Sequence, residues 1–209
     1  MATAVFILTA YLIGSLSFAV IVSRAFSLPD PRTYGSGNPG ATNVLRTGKK
    51  VAALLTLIGD GGKGWLAVFL ALRYAAEYGV DATGVAACAV AVFLGHIFPV
   101  FFRFKGGKGV STAGGVLLAI NPLLGLATLA TWIIIALFFR YSSLAAIVSA
   151  VFSPLYAFFM SLLGFELGSM LPALILIAAL LVWCHKTNIL KLVAGKERRI
   201  GERKTGEAA

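Results

Sequence analysis

Seven apolar stretches, near 3–23, 51–75, 83–102, 110–121, 123–139, 143–163 and 168–184, take up most of this 209-residue chain. A helix needs about 20 such residues to cross the hydrocarbon core of a bilayer. Backbone in that core must satisfy its own hydrogen bonds, and a single span does so only as a helix. The pattern predicts an all-α polytopic membrane protein with about seven transmembrane helices, some of them short or re-entrant. The stretch at 110–121 is too short to cross comfortably, and Asn121-Pro122 marks its turn. Residues 110–139 therefore read as a pair of short helices or a re-entrant element, with five spans plus that pair as the fallback count.

Composition agrees. Hydrophobic residues make up 59% of the chain and charged residues 12%, against roughly 45–50% and about 25% in soluble domains. Residues 1–200 are expected to form one transmembrane domain, with 201–209 as a polar C-terminal tail. Met1 to Ser23 carries no basic leader and no cleavage signal, so it reads as a retained first span. Cys88 and Cys184 lie in apolar runs without metal-ligand spacing and read as small buried hydrophobes.

The net charge is +10. Cations on a water-exposed fold would suggest nucleic acid; here they mark one side of a membrane. Segments 24–50, 103–109, 140–142 and 185–209 hold every Lys and Arg except Lys63 and Arg73. The opposite loops carry Glu77, Asp81 and Glu166 against Arg73 alone. By the positive-inside rule the N-terminus is expected outside and the C-terminus in the cytoplasm. The surplus also suits an anionic substrate.

That same side holds the segments rich in Gly, Asn, Ser and His. "YGSGNPGATNVLR" (34–46) offers Gly37 for a backbone nest, Ser36 and Asn38 as donors, and Arg46 as a guanidinium fork. Backbone nests and guanidinium forks both suit phosphate; a plain connecting loop is the alternative. "GHIFPVFFRFKGGKGVST" (95–112) brings Lys105 and Lys108 among Gly106, Gly107 and Gly109, at the start of the next helix. A helix N-terminus favours anions, although a P-loop is excluded by the spacing. Asp60 and Lys63 in "LIGDGGKGW" are three apart inside an apolar run, which suggests a structural ion pair.

His96 and His185 are the only histidines and both fall at this side as candidate bases, neither with a carboxylate nearby in sequence. In "HKTNILKLVAGKERR", a helix would place His185 and Asn188 on one face. Ser142 and Ser143 in "RYSSLAA" read first as helix caps, and second as ligands of an anion at that helix start.

In this order, "GSGNPGATNVLR", "GHIFPVFFRFKGGKGVST" and "HKTNILKLVAGKER" resemble the bacterial acyl-phosphate:glycerol-3-phosphate acyltransferase family, over essentially residues 1–200. The resemblance implies an inner-membrane enzyme that moves a fatty acyl group from acyl phosphate to the 1-hydroxyl of glycerol 3-phosphate. Lysophosphatidic acid and phosphate would be the products, in the first step of phospholipid synthesis. It implies no cofactor and no metal, and as partners the two substrates, membrane lipids and the upstream enzyme that forms acyl phosphate. Neither histidine heads an HxxxxD pair, the mark of another acyltransferase class. As catalytic candidates stand His185, His96, Ser36 and Asn38. Substrate-binding candidates are Gly37, Arg46, Lys105, Gly106, Gly107, Lys108, Gly109, Ser142, Ser143 and Asn188. A transporter for an organic phosphate anion is the alternative from another class.

Overall fold

The computed structural model of the protein describes residues 1–202, so most of the polar tail expected at 201–209 lies outside the described residues. The described residues form helices joined by short turns and contain no strand.

The expected first span at 3–23 is corrected to a broken one. Helices α1 (Ala2–Gly14) and α2 (Phe18–Ala25) meet at a 41° bend. Close packing against Val92 and Gly95 flanks the break. A methyl group on Gly14 would lie 2.1 Å from the Val92 carbonyl oxygen, and one on Gly95 would lie 2.3 Å from that of Tyr11. Glycine is thus required where the two backbones touch. At the break the Leu16 carbonyl accepts a hydrogen bond of 2.6 Å from the buried Lys63 ammonium. That bond satisfies an acceptor the helix itself has released.

A short α3 (Ala41–Leu45) leads into α4 (Lys50–Tyr74), which at 25 residues is about 37 Å long. Helix α5 (Ala82–Ile97) starts at Asp81, whose carboxylate caps Gly84 N–H at 2.8 Å. Then follow α6 (Val110–Ile120) and α7 (Pro122–Phe139). Asn121 accepts from Leu123 N–H at 2.9 Å and proline opens α7, two devices that start a helix abruptly. With 11 residues α6 reaches only about 16 Å, roughly half a bilayer core. The short element expected at 110–121 is thus a half-length helix turned back onto a full one.

Helix α6 is nevertheless buried, because α4 accepts it through small residues. A methyl on Gly64 would fall 2.3 Å from Thr112 O, and one on Gly115 would fall 1.9 Å from Gly61 O. Helix packing inside membranes relies on such small residues. Helix α8 (Ser142–Leu162) and α9 (Leu171–Cys184) complete the bundle, and α10 (Lys186–Val193) bends away from α9 by 58°. Among the described residues, four helices are long and apolar enough to span, six if each bent pair counts as one, with α6 as the shorter seventh. Large apolar side chains such as Leu137, Phe138 and Leu162 point outward, which suits lipid.

Candidate functional site

Four irregular segments converge at one end of the bundle, and the first of them, residues 26–40, is organised by Asn43. Asn43 is buried and donates to Pro31 O at 2.7 Å and Tyr34 O at 3.2 Å, while its Oδ1 accepts from Ser36 N–H at 3.0 Å. Gly35 must be glycine here. Its φ is +61°, and a methyl would lie 2.3 Å from Asn43 Oδ1. Wrapped around Asn43, the loop leaves Ser36 and Gly37 exposed and Asn38 half-buried. The Ser36 N–H is already engaged, and its hydroxyl accepts from Asn38 N–H at 3.4 Å.

The second segment, 98–109, folds back onto the end of α5. Gly107 N–H donates to His96 O at 3.2 Å. A methyl on Gly106 would lie 2.0 Å from that oxygen, and one on Gly109, with φ +80°, 2.3 Å from the Phe93 ring. Close packing therefore explains these glycines as fully as anion binding would. Among the described residues, no protein partner takes the N–H groups of Lys108 and Gly109, the latter the N-cap of α6.

The remaining segments join through a residue that sequence reasoning passed over. Glu197 Oε1 accepts from Asn188 Nδ2 and from Ser143 Oγ, each at 2.7 Å, and Lys108 donates to Asn188 Oδ1. Lys108, Asn188, Glu197 and Ser143 thus form one hydrogen-bonded chain across three parts of the sequence. Helix capping, the first reading of the serines, is corrected: α8 has no side-chain cap at its N-cap, Tyr141, and Ser143 reaches across to Glu197. Ser142 begins the same helix, half-buried. The signal for Glu197 was its place as the sole acid in "GKERR".

Cations crowd around that acid. Burial first, with Lys191 and Arg46 adding to it and Glu197 opposing, draws the Lys108 ammonium below its ordinary pKa. Burial and then Arg198 do the same to Arg46, again against Glu197. One carboxylate does not neutralise these groups, so the end of the bundle keeps surplus positive charge.

Beside the cluster opens a cavity of about 320 Å³. Its polar wall is Asn38, Lys105, Gly106, Gly107, Lys108, Lys186 and Thr187; its apolar wall is Ile97, Phe98, Phe104, Trp183 and Cys184. Phe98 and Trp183 stand as a tilted aromatic pair with centroids 6.3 Å apart. The wall chemistry suits a ligand with an anionic head and an apolar chain.

Neither histidine lines this cavity. His185 is 2% exposed at the bend between α9 and α10, and its Nδ1 lies 2.8 Å from Leu181 O. A carbonyl oxygen can only accept, so Nδ1 carries the hydrogen and Nε2 the lone pair. His96 is 7% exposed. The sequence offered it no carboxylate, yet the fold sets Asp60 Oδ1 3.6 Å from its Nδ1. Asp60 and Lys63 do pair, at 2.8 Å, with both side chains almost wholly buried. Among the described residues no three His, Cys, Asp or Glu side chains are grouped to hold a metal ion.

Against this geometry, a family profile described as glycerol-3-phosphate acyltransferase matches residues 4–195. A protein of that description from Cupriavidus pinatubonensis is 65% identical over 204 residues, covering 98% of this chain and 99% of its own. One from Ralstonia pickettii is 65% identical over 203 residues, covering 97% and 96%. Two crystal structures of PlsY (YgiH), described as an integral membrane glycerol 3-phosphate acyltransferase, are similar along 96% of both chains at 36% identity. The glycerol 3-phosphate form superposes with a TM-score of 0.87 and the lysophosphatidic acid form with 0.85.

Proposed function

The chain belongs to the glycerol-3-phosphate acyltransferase family, and we propose that it takes its acyl group from an acyl phosphate. The 1-hydroxyl of glycerol 3-phosphate attacks the acyl carbonyl carbon, the bond to the phosphate oxygen breaks, and 1-acyl-glycerol 3-phosphate and phosphate leave. The observation that carries this reading is the two-sided cavity, cationic and glycine-rich on one wall and aromatic on the other. Both substrates are phosphorylated, and Lys105, Lys108 and the adjoining Arg46 supply the charge for two phosphates. Membership of the family supports acyl transfer over the transporter alternative.

Acyl phosphate is an activated donor, so strong nucleophilic machinery is unnecessary. Negative charge develops on the carbonyl oxygen, where each preorganised donor contributes roughly 10²–10³-fold. Asn38 and the N–H groups of Lys108 and Gly109 are the donors we assign to this task. The hydroxyl proton passes to the departing phosphate. Burial of His96 and His185 outside the cavity lining supports this route over a histidine base.

We place the cavity on the cytoplasmic side of the bacterial inner membrane, with the N-terminus outside, because the segments around it hold nearly all the cations. Purified protein offered an acyl phosphate or an acyl-CoA with glycerol 3-phosphate should form lysophosphatidic acid only from the former. Transfer from acyl-CoA alone would reject the donor.

A further inference from the structure

His96 is held at both edges of its ring. On one side lies the glycine loop: Gly107 N–H donates to the His96 carbonyl, and a methyl on Gly107 would lie 2.3 Å from Nε2. On the other side Nδ1 is 3.0 Å from Thr112 Oγ1, and that hydroxyl donates its hydrogen to Asp60 O at 2.9 Å. With its hydrogen so committed, the hydroxyl can only accept from Nδ1–H. The carboxylate of Asp60, 3.6 Å from the same nitrogen, reinforces that tautomer. Asp60 is in turn fixed by Lys63, which also binds the break between α1 and α2.

We propose that His96 is a positioning residue: it transmits the placement of the buried charges on α4 to the phosphate-binding loop 104–109. Helices α4 and α6 fix the ring, the ring and carbonyl fix Gly107, and Gly107 fixes the spacing of Lys105 and Lys108 in the cavity wall. With Nδ1 engaged by Thr112 and Nε2 against Gly107, the ring supports the loop without lining the cavity. The inference rests on glycerol 3-phosphate as a ligand of that cavity.

The test is glycerol 3-phosphate binding by calorimetry on the full-length protein in detergent, with melting temperature as the folding control. His96→Leu should raise the Kd about tenfold. His96→Asn, which keeps a donor near the Nδ1 position, should recover part of that loss. Gly107→Ala should also weaken binding, because its methyl meets Nε2. The double variant Gly107→Ala/His96→Asn should bind more tightly than Gly107→Ala alone, since the shorter side chain vacates that space. If His96→Leu fails to fold, the Gly107 pair decides. Unaltered Kd in His96→Leu, or simple addition of the two losses in the double variant, overturns the proposal. Wild-type protein that binds glycerol 3-phosphate but transfers only from acyl-CoA would reject the donor and leave these binding comparisons intact. Failure of the wild type to bind glycerol 3-phosphate overturns the inference.

Discussion

Two charged clusters lie within this bundle, and they differ in how completely their charges are matched. Asp60 and Lys63 are sealed between helices, where Lys63 pairs with Asp60 and donates to Leu16 O, and Thr112 bonds the Asp60 carbonyl and His96. At the bundle end, Arg46, Lys108, Lys191 and Arg198 lie around the Glu197 carboxylate, and Lys105 and Lys108 line an open cavity. An ionisable group in a membrane is expensive and therefore either paired or functional. The first cluster is paired. The second keeps a surplus, and a surplus beside a cavity calls for an anion.

Breaking the matched cluster should have the largest effect. Lys63→Met strands the Asp60 carboxylate, and losing one partner of a buried pair costs about 3–5 kcal/mol. Folded yield and melting temperature in detergent should fall sharply, and Asp60→Asn in the same background should restore much of both. A Lys63→Met protein that melts like wild type but has lost kcat would make this cluster catalytic and erase the contrast.

In the unmatched cluster the loss should appear in binding. Lys105→Ala and Arg46→Ala each remove a charge-assisted contact of roughly 1.5–3 kcal/mol, so the KM for a phosphorylated substrate should rise about 10–150-fold. Melting temperatures should hold. A stability loss with KM unchanged would make these cations structural.

Glu197→Ala is expected to act more mildly, because it releases Asn188 and Ser143 and only indirectly loosens Lys108. A KM increase of up to about tenfold is expected from one or two such bonds, read from steady-state kinetics.

Smaller still is the alkaline effect. Burial lowers the pKa of Lys108 below the ordinary lysine value of 10.5. A lysine with a depressed pKa is charged below that value and loses its proton earlier as the pH rises. The KM for glycerol 3-phosphate should therefore begin to climb before pH 10.5, and Lys108→Arg should shift that climb upward, since guanidinium stays protonated. The smallest expected change is in His185→Gln. If phosphate takes the proton, the acidic limb of the pH–kcat profile persists, because substrate phosphate groups titrate in the weakly acidic range by themselves, a phosphate monoester near pH ~6. A flat acidic side would restore His185 as the base.

Much of this protein was legible without a structure. Hydropathy is a property of contiguous residues, so the span pattern and the half-length element at 110–121 could be read directly, as could the cation asymmetry. The Asp60–Lys63 pair was legible too, because three residues along a helix place two side chains on one face. The histidines were not. His96 meets Asp60 only after α4 and α5 pack, and the burial of both rings beside the cavity depends on neighbours distant in sequence. Asn43 and Glu197 escaped for the same reason. A side chain that organises a loop or bridges three segments looks, in one dimension, like any other Asn or Glu. The glycines of 106–109 show the division best. Their flexibility suggested an anion nest, whereas packing against His96 and Phe93 supplies a separate reason for the missing side chains. Composition and order along the chain determined the membrane, the all-helical architecture and which segments carry the chemistry. Tertiary structure alone decided which polar groups satisfy one another and which remain free, because that depends on the meeting of helices separated by tens of residues.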